Sequence, residues 1–392
     1  MTTHFITDHS RTGRDGQSDT GRVSTRTARL PKLAVAAWAL AAAVLAVLVA
    51  AVWAHLAGGS SGMHMHAFTR VGGDPFGPLL GAHLLTKWQL DAISLAVLVV
   101  AAALYLSGVA LAPARSGTRW PLRRTASFFL GLLVIAFATN GSIAVYDQVL
   151  FSAHMLGHLA LVMVAPVLLV AGHPLSLALA ASPPRRRERL VRIARGRVAS
   201  LLTAPPVALA SYTVVIVGSH LTGLMDTIMR NNWAGQLEHL VYVLVGYQFF
   251  VLVVGQEPIR WRLGTPARWL LLAVAMAVDT FTGIVLLQGT HAVAMVADRN
   301  VVVNTLSDTR TGGAIMWFGG DAIMIMVMIV LAADWLRRVD TDKADRKGWL
   351  EQARVAEFSA RTSGTSDVET YDDDETARES YNAWLAGLDK RG

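Results

Sequence analysis

The sequence contains no cysteine. Disulfides, thiolate metal sites and CxxC redox chemistry are thereby excluded together, and any bound metal must rely on histidine, methionine, carboxylate or backbone oxygen. Charge is scarce as well: Asp, Glu, Lys and Arg make up 16% of the 392 residues, against 53% hydrophobic ones. With a mean hydropathy of +0.42, the chain is too apolar to be a soluble protein of this length. A Gly-rich phosphate loop, a GxSxG elbow and an HExxH pair are also missing, so no enzyme is expected.

What is present is a series of long apolar runs. Eight windows reach the roughly 20 residues needed to cross a bilayer, near 33–57, 90–112, 125–146, 152–171, 203–219, 236–255, 268–288 and 312–335. The expected fold is an all-α, polytopic membrane helical bundle of about eight transmembrane helices. Its parts would be a disordered basic tail over 1–32, a first transmembrane helix over 33–57, an extracytoplasmic loop over 58–89, a seven-helix core over 90–336 and a cytoplasmic tail over 337–392.

The basic residues orient this arrangement. Thirty of the 35 Lys and Arg fall in 1–32, 113–124, 172–202, 256–268 and the segment after 336, all on one side of an eight-span chain. The positive-inside rule then makes both termini cytoplasmic, and it explains the net charge of +7 without a nucleic-acid partner. The run "PPRRRERLVRIARGR" (183–197) reads as an interfacial loop facing anionic lipid. In the C-terminal tail, "ARESYNAWLAGLDK" has the pattern of a short amphipathic helix.

Nine of the twelve histidines, His55, His64, His66, His83, His154, His158, His220, His239 and His291, fall at or near the extracytoplasmic face. Histidine played no part in setting the topology, so this bias is independent of it. In "FSAHMLGHLALVMVAPVLLVAGHP" (151–174), His154 and His158 are four residues apart, on one helix face and about 6 Å apart along the axis. They either address one ion or satisfy interfacial acceptors. His173 is left alone on the cytoplasmic side.

A second cluster, Met63, His64, Met65 and His66 in "SSGMHMHAF", interleaves thioethers with imidazoles. Soft donors of this kind favour copper, Cu(I) over Cu(II); otherwise the stretch is a linker. Glu238 and His239 are adjacent, so they point about 100° apart on a helix: one can ligate while the other orients a ring. Asp279 and Asp321 lie deep in the last two spans, as hydrogen-bonded structural carboxyls or as functional ones. Met316, Met324, Met326 and Met328 are read as packing.

The stretch from 151 to 174 resembles the signature helix of the multi-span CtaG family of cytochrome c oxidase assembly factors. Three further stretches agree in order: "SHLTGLMDTIMRNNWAGQLEHLVYVLVGYQFF" (219–250), "GQEPIR" (255–260) and "DTRTGGAIMWFGGDAIMIMVMIVLAADW" (308–335). The resemblance covers roughly 85–340. It implies that His154 and His158 are the family's helix histidines, His220 and His239 its outer histidines, and Gly312 to Trp317 its GGxIMW segment. The sequence departs from the family pattern in an extra amino-terminal span carrying the Met63–His66 loop, and in Val167, which stands where a second proline usually follows Pro166.

The function so implied is insertion of copper into the catalytic subunit of a haem-copper oxidase at a bacterial plasma membrane, from an unknown copper donor. Copper would be gathered at Met63, His64, Met65 and His66 and passed to His154, His158, His220 and His239. The alternatives are a b-type haem electron-transfer protein and a copper or cation transporter using Asp279 and Asp321.

Overall fold

The computed structural model describes residues 32–57, 70–71, 88–117, 119–147, 150–230, 232–293 and 304–339, together with Glu379 and Asn382. Met63, His64, Met65, His66 and His83 lie outside the described residues, as do most of both tails.

The apolar windows become helices. They are α1 (Lys32–Ala57), α2 (Ala92–Ser116), α3 (Leu122–Asn140) with the short α4 (Ser142–Tyr146), α5 (Phe151–Leu159) and α6 (Ala165–Ala171). Three short connecting helices follow, α7 (Pro174–Ala181), α8 (Pro184–Ala194) and α9 (Arg197–Leu202). Then come α10 (Pro205–His220), α11 (Leu224–Arg230), α12 (Asn232–Val254), α13 (Thr265–Gln288), α14 (Thr305–Ala314) and α15 over 320–339. A π-helical turn, Ala160–Val164, joins α5 to α6, and another, Ile315–Gly319, joins α14 to α15. Two-residue strands, β1 (Arg70–Val71) and β2 (Leu90–Asp91), pair antiparallel ahead of α2.

Among the described residues, six helical stretches are long and apolar enough to cross a membrane: Ala92–Ser116, Leu122–Tyr146, Phe151–Ala181, Trp233–Val254, Thr265–Gln288 and Thr305–Val339. The other two expected windows are also helical. However, α10 has only 16 residues, below the length needed to span the hydrocarbon untilted, and α1 over its 26 residues packs along α2.

The stretch from α5 to α7 is the most buried of the six. It touches α3, α12 and α14, while α10 closes the bundle against α12 and α13. The core they share includes Phe151, Met155, Met163, Tyr212, Ile216, Phe249, Phe250, Met316 and Met324. The outer faces carry large exposed apolar side chains such as Val97, Leu133, Leu244, Leu270 and Val330, as a lipid-facing surface requires.

Glycine sets two of the closest approaches. A Cβ on Gly312 would collide with Phe151, and one on Gly313 would meet the backbone of Leu287 and Gly283. The two adjacent glycines therefore let α14 close on α5 on one side and on α13 on the other.

Candidate metal centre

The start of α5 has no cap of its own, because Leu150 at the N-cap position offers no side-chain acceptor. Asp308 on α14 supplies one. Its Oδ2 accepts the Phe151 N–H at 2.6 Å and the Ser152 N–H at 3.4 Å, and its Oδ1 accepts the Ser152 hydroxyl. An anion at a helix N-terminus also meets the positive end of the dipole. The far end of the same rod is held in like fashion: the Glu257 carboxylate accepts from Leu175 N at 3.2 Å, Ser176 N at 2.9 Å and Ser176 Oγ at 2.7 Å in the first turn of α7.

Between these two fixtures lies the π turn. Pro166 has no N–H to give to the carbonyl of Val162, four residues earlier, and the helix widens there. Gly246 of α12 sits directly over that carbonyl, so close that a Cβ would come within 2.1 Å of Val162 O and 2.7 Å of Pro166 Cγ. This contact is the first of three in step. His158, four residues before Val162, meets Tyr242, four before Gly246, with ring centroids 4.4 Å apart. Four residues earlier again, His154 Nε2 lies 3.6 Å from Glu238 Oε1. The faces 154, 158, 162 and 238, 242, 246 thus run parallel in register, each at the four-residue repeat of one helix side.

A third element completes the group. His220 ends α10, and its ring centroid is 4.7 Å from that of His158 and 6.3 Å from that of His154. Its Nδ1 lies 2.8 Å from the Ile216 carbonyl, which can only accept, so Nδ1 carries the proton and Nε2 keeps its lone pair. That is the tautomer a metal-ligating histidine needs.

All four polar residues of the group are buried: His154 is 6% exposed, His158 1%, His220 3% and Glu238 6%. Among the described residues, no hydrogen-bond partner exists for His154 Nε2, either nitrogen of His158, His220 Nε2 or Glu238 Oε2. The other Glu238 oxygen accepts the Tyr242 hydroxyl. A buried polar atom without a partner costs about 1–3 kcal/mol, and five of them gather in this one cluster. As it stands, no group of three or more His, Asp or Glu among the described residues is arranged to hold a metal ion.

Of the histidines expected to act together, His154, His158 and His220 converge and His239 does not. The His239 Nε2 faces Asp147 Oδ2 at 3.8 Å, around the helix from the cluster, and Glu238 takes the inward position. Tyr242, Gly246 and Asp308 did not emerge from the sequence, although Glu-x3-Tyr-x3-Gly repeats the spacing of His-x3-His-x3-Val.

The remaining candidates lie apart from this group. His173 is buried at the α6–α7 turn with φ 53°. His291 is exposed, its Nδ1 3.0 Å from Thr290 Oγ1. Asp91 caps α2 through the Ile93 N–H and accepts from Gln236 Nε2 at 2.6 Å. Asp279 is fully buried and accepts the Tyr212 hydroxyl at 2.8 Å, and Asp321 accepts from Thr280 Oγ1.

Residues 103–338 match the protein family described as cytochrome c oxidase caa3 assembly factor. Uncharacterised proteins of Mycobacterium tuberculosis and Mycobacterium bovis are each 32% identical over 320 residues, covering 79% of this chain and 45% of theirs. A Mycobacterium leprae protein is 30% identical, covering 78% and 45%. The chain therefore spans less than half the length of these relatives. No solved structure matches it.

Proposed function

The chain belongs to the cytochrome c oxidase caa3 assembly factor family, and on that premise we propose that it handles copper as cargo for the catalytic subunit of a haem-copper oxidase. The cluster of His154, His158 and His220, with Glu238, is the holding site. Met63, His64, Met65 and His66 are the acquisition element that feeds it.

One observation carries the reading: His158 is almost wholly buried with both ring nitrogens unpartnered among the described residues. A purely structural imidazole would have found an acceptor for its N–H. Three imidazoles suit copper in either oxidation state, and the carboxylate offsets the charge of the ion. Transfer requires only ligand exchange, with no bond making by the protein.

The test is metal analysis of full-length protein purified from copper-replete cells. Stoichiometric copper in the wild type, lost in the His158→Ala, His220→Ala double variant, supports the reading; metal-free wild-type protein sinks it. In cells lacking the chain, the oxidase should keep its haem and lose copper.

A further inference from the structure

The arginine-rich run between α7 and α10 has no part in the metal cluster. It is separated from it by the length of α10, about 24 Å for 16 residues at 1.5 Å each, since α9 precedes the first residue of α10 and His220 is the last. Seven arginines lie between residues 185 and 197, against one acid, Glu188.

None of the residues of α8 is buried. Hydrogen bonds tether the segment through α9, where Trp261 Nε1 donates to Ser200 O at 2.7 Å and Gln248 Nε2 to Leu202 O at 2.5 Å. The Trp261 bond also draws the exposed Arg260 and Arg262 to the same end of the bundle. Alongside the arginines, Ile193, Val198, Leu201 and Leu202 are 52–74% exposed, large apolar side chains that no described part of the protein covers. Guanidinium groups interleaved with exposed aliphatics, at the end of a membrane bundle and beside a tethered tryptophan, are the composition of an element lying in the headgroup plane.

We propose that α8 and α9 form an amphipathic unit that binds anionic phospholipid headgroups. The arginines bind the phosphates, while Ile193, Val198 and Leu201 enter the acyl boundary. The occupant is chosen by charge: zwitterionic lipid offers the same apolar surface but no net negative charge to match the arginines.

The test titrates detergent-solubilised full-length protein with phosphatidylglycerol, phosphatidylcholine or inorganic phosphate, and counts bound lipid by native mass spectrometry. Phosphatidylglycerol should bind in preference and weaken as salt rises. Each arginine removed should lower its apparent affinity roughly fivefold, so Arg189→Gln, Arg192→Gln together should lower it about 25-fold. Glu188→Gln, which removes the one acid, should raise affinity, a gain that misfolding could not produce. Equal binding of phosphatidylcholine, full competition by inorganic phosphate, or undiminished binding in the double variant with no gain in Glu188→Gln would overturn the proposal.

Discussion

His158 and Tyr242 stand ring against ring, centroids 4.4 Å apart, as the middle of three in-register contacts that α12 makes with α5 and the π turn after it. The contact on one side brings Glu238 to His154. The contact on the other is the close passage of Gly246 over the Val162 carbonyl. The separation of the two helices, and with it the size of the histidine cluster, is therefore set by a residue that carries no chemistry.

Gly246→Ala should force the helices apart where the closest approach is backbone and cannot yield. Overpacking of this kind costs about 1–3 kcal/mol, read as a lower melting temperature in detergent. Gly218→Ala is the control: its Cβ meets nothing within 4 Å, and alanine gains about 0.5–1 kcal/mol of helix propensity. Equal melting temperatures for the two variants would contradict the in-register contact.

Tyr242→Phe removes the hydroxyl that holds Glu238 and leaves the ring against His158. Copper affinity should fall about 10–100-fold, the usual cost of losing an outer-shell partner, with little change in fold. Competition titration against a chelator of known affinity measures it.

His239→Ala should leave copper binding intact, because that imidazole faces Asp147 outside the cluster. His220→Ala should abolish it. Copper lost equally from both variants would mean that the Glu238 side of α12 is not the binding side.

Glu257 supplies a pH dependence. Burial pushes its carboxyl above the ordinary value of 4.5, against the pull of the hydrogen bonds from Ser176 and Leu175. The native state thus keeps a proton that the unfolded state has released, so stability falls as pH rises from 4.5 through the raised native value. Glu257→Gln should flatten that slope in melting curves taken across the range.

Much of this arrangement was legible in the sequence. Apolar length located the long helices, and the clustering of histidines toward one face marked His154, His158, His220 and His239 as candidates without showing which of them would meet. What escaped is what depends on rotation and distance. Glu238 and His239 are neighbours in sequence, and composition could not say which of the two turns inward; the answer came from the phase of α12, fixed by Gly246. Asp308 looked like one more polar residue ahead of a span, since nothing local shows that a helix end elsewhere lacks its cap. Pro166 was visible in the sequence, but nothing local shows that the Val162 carbonyl it frees would lie beneath Gly246.

The cap on α5 has a consequence in time. Phe151 waits for a carboxylate 157 residues downstream, and at synthesis rates of about 5–20 residues per second that is roughly 8 to 30 s of translation. Until α14 is made, the first turn of the histidine helix lacks this cap. The α5 end of the cluster is therefore capped only when α14 has been made, later in synthesis than Glu238 and Tyr242, which face it.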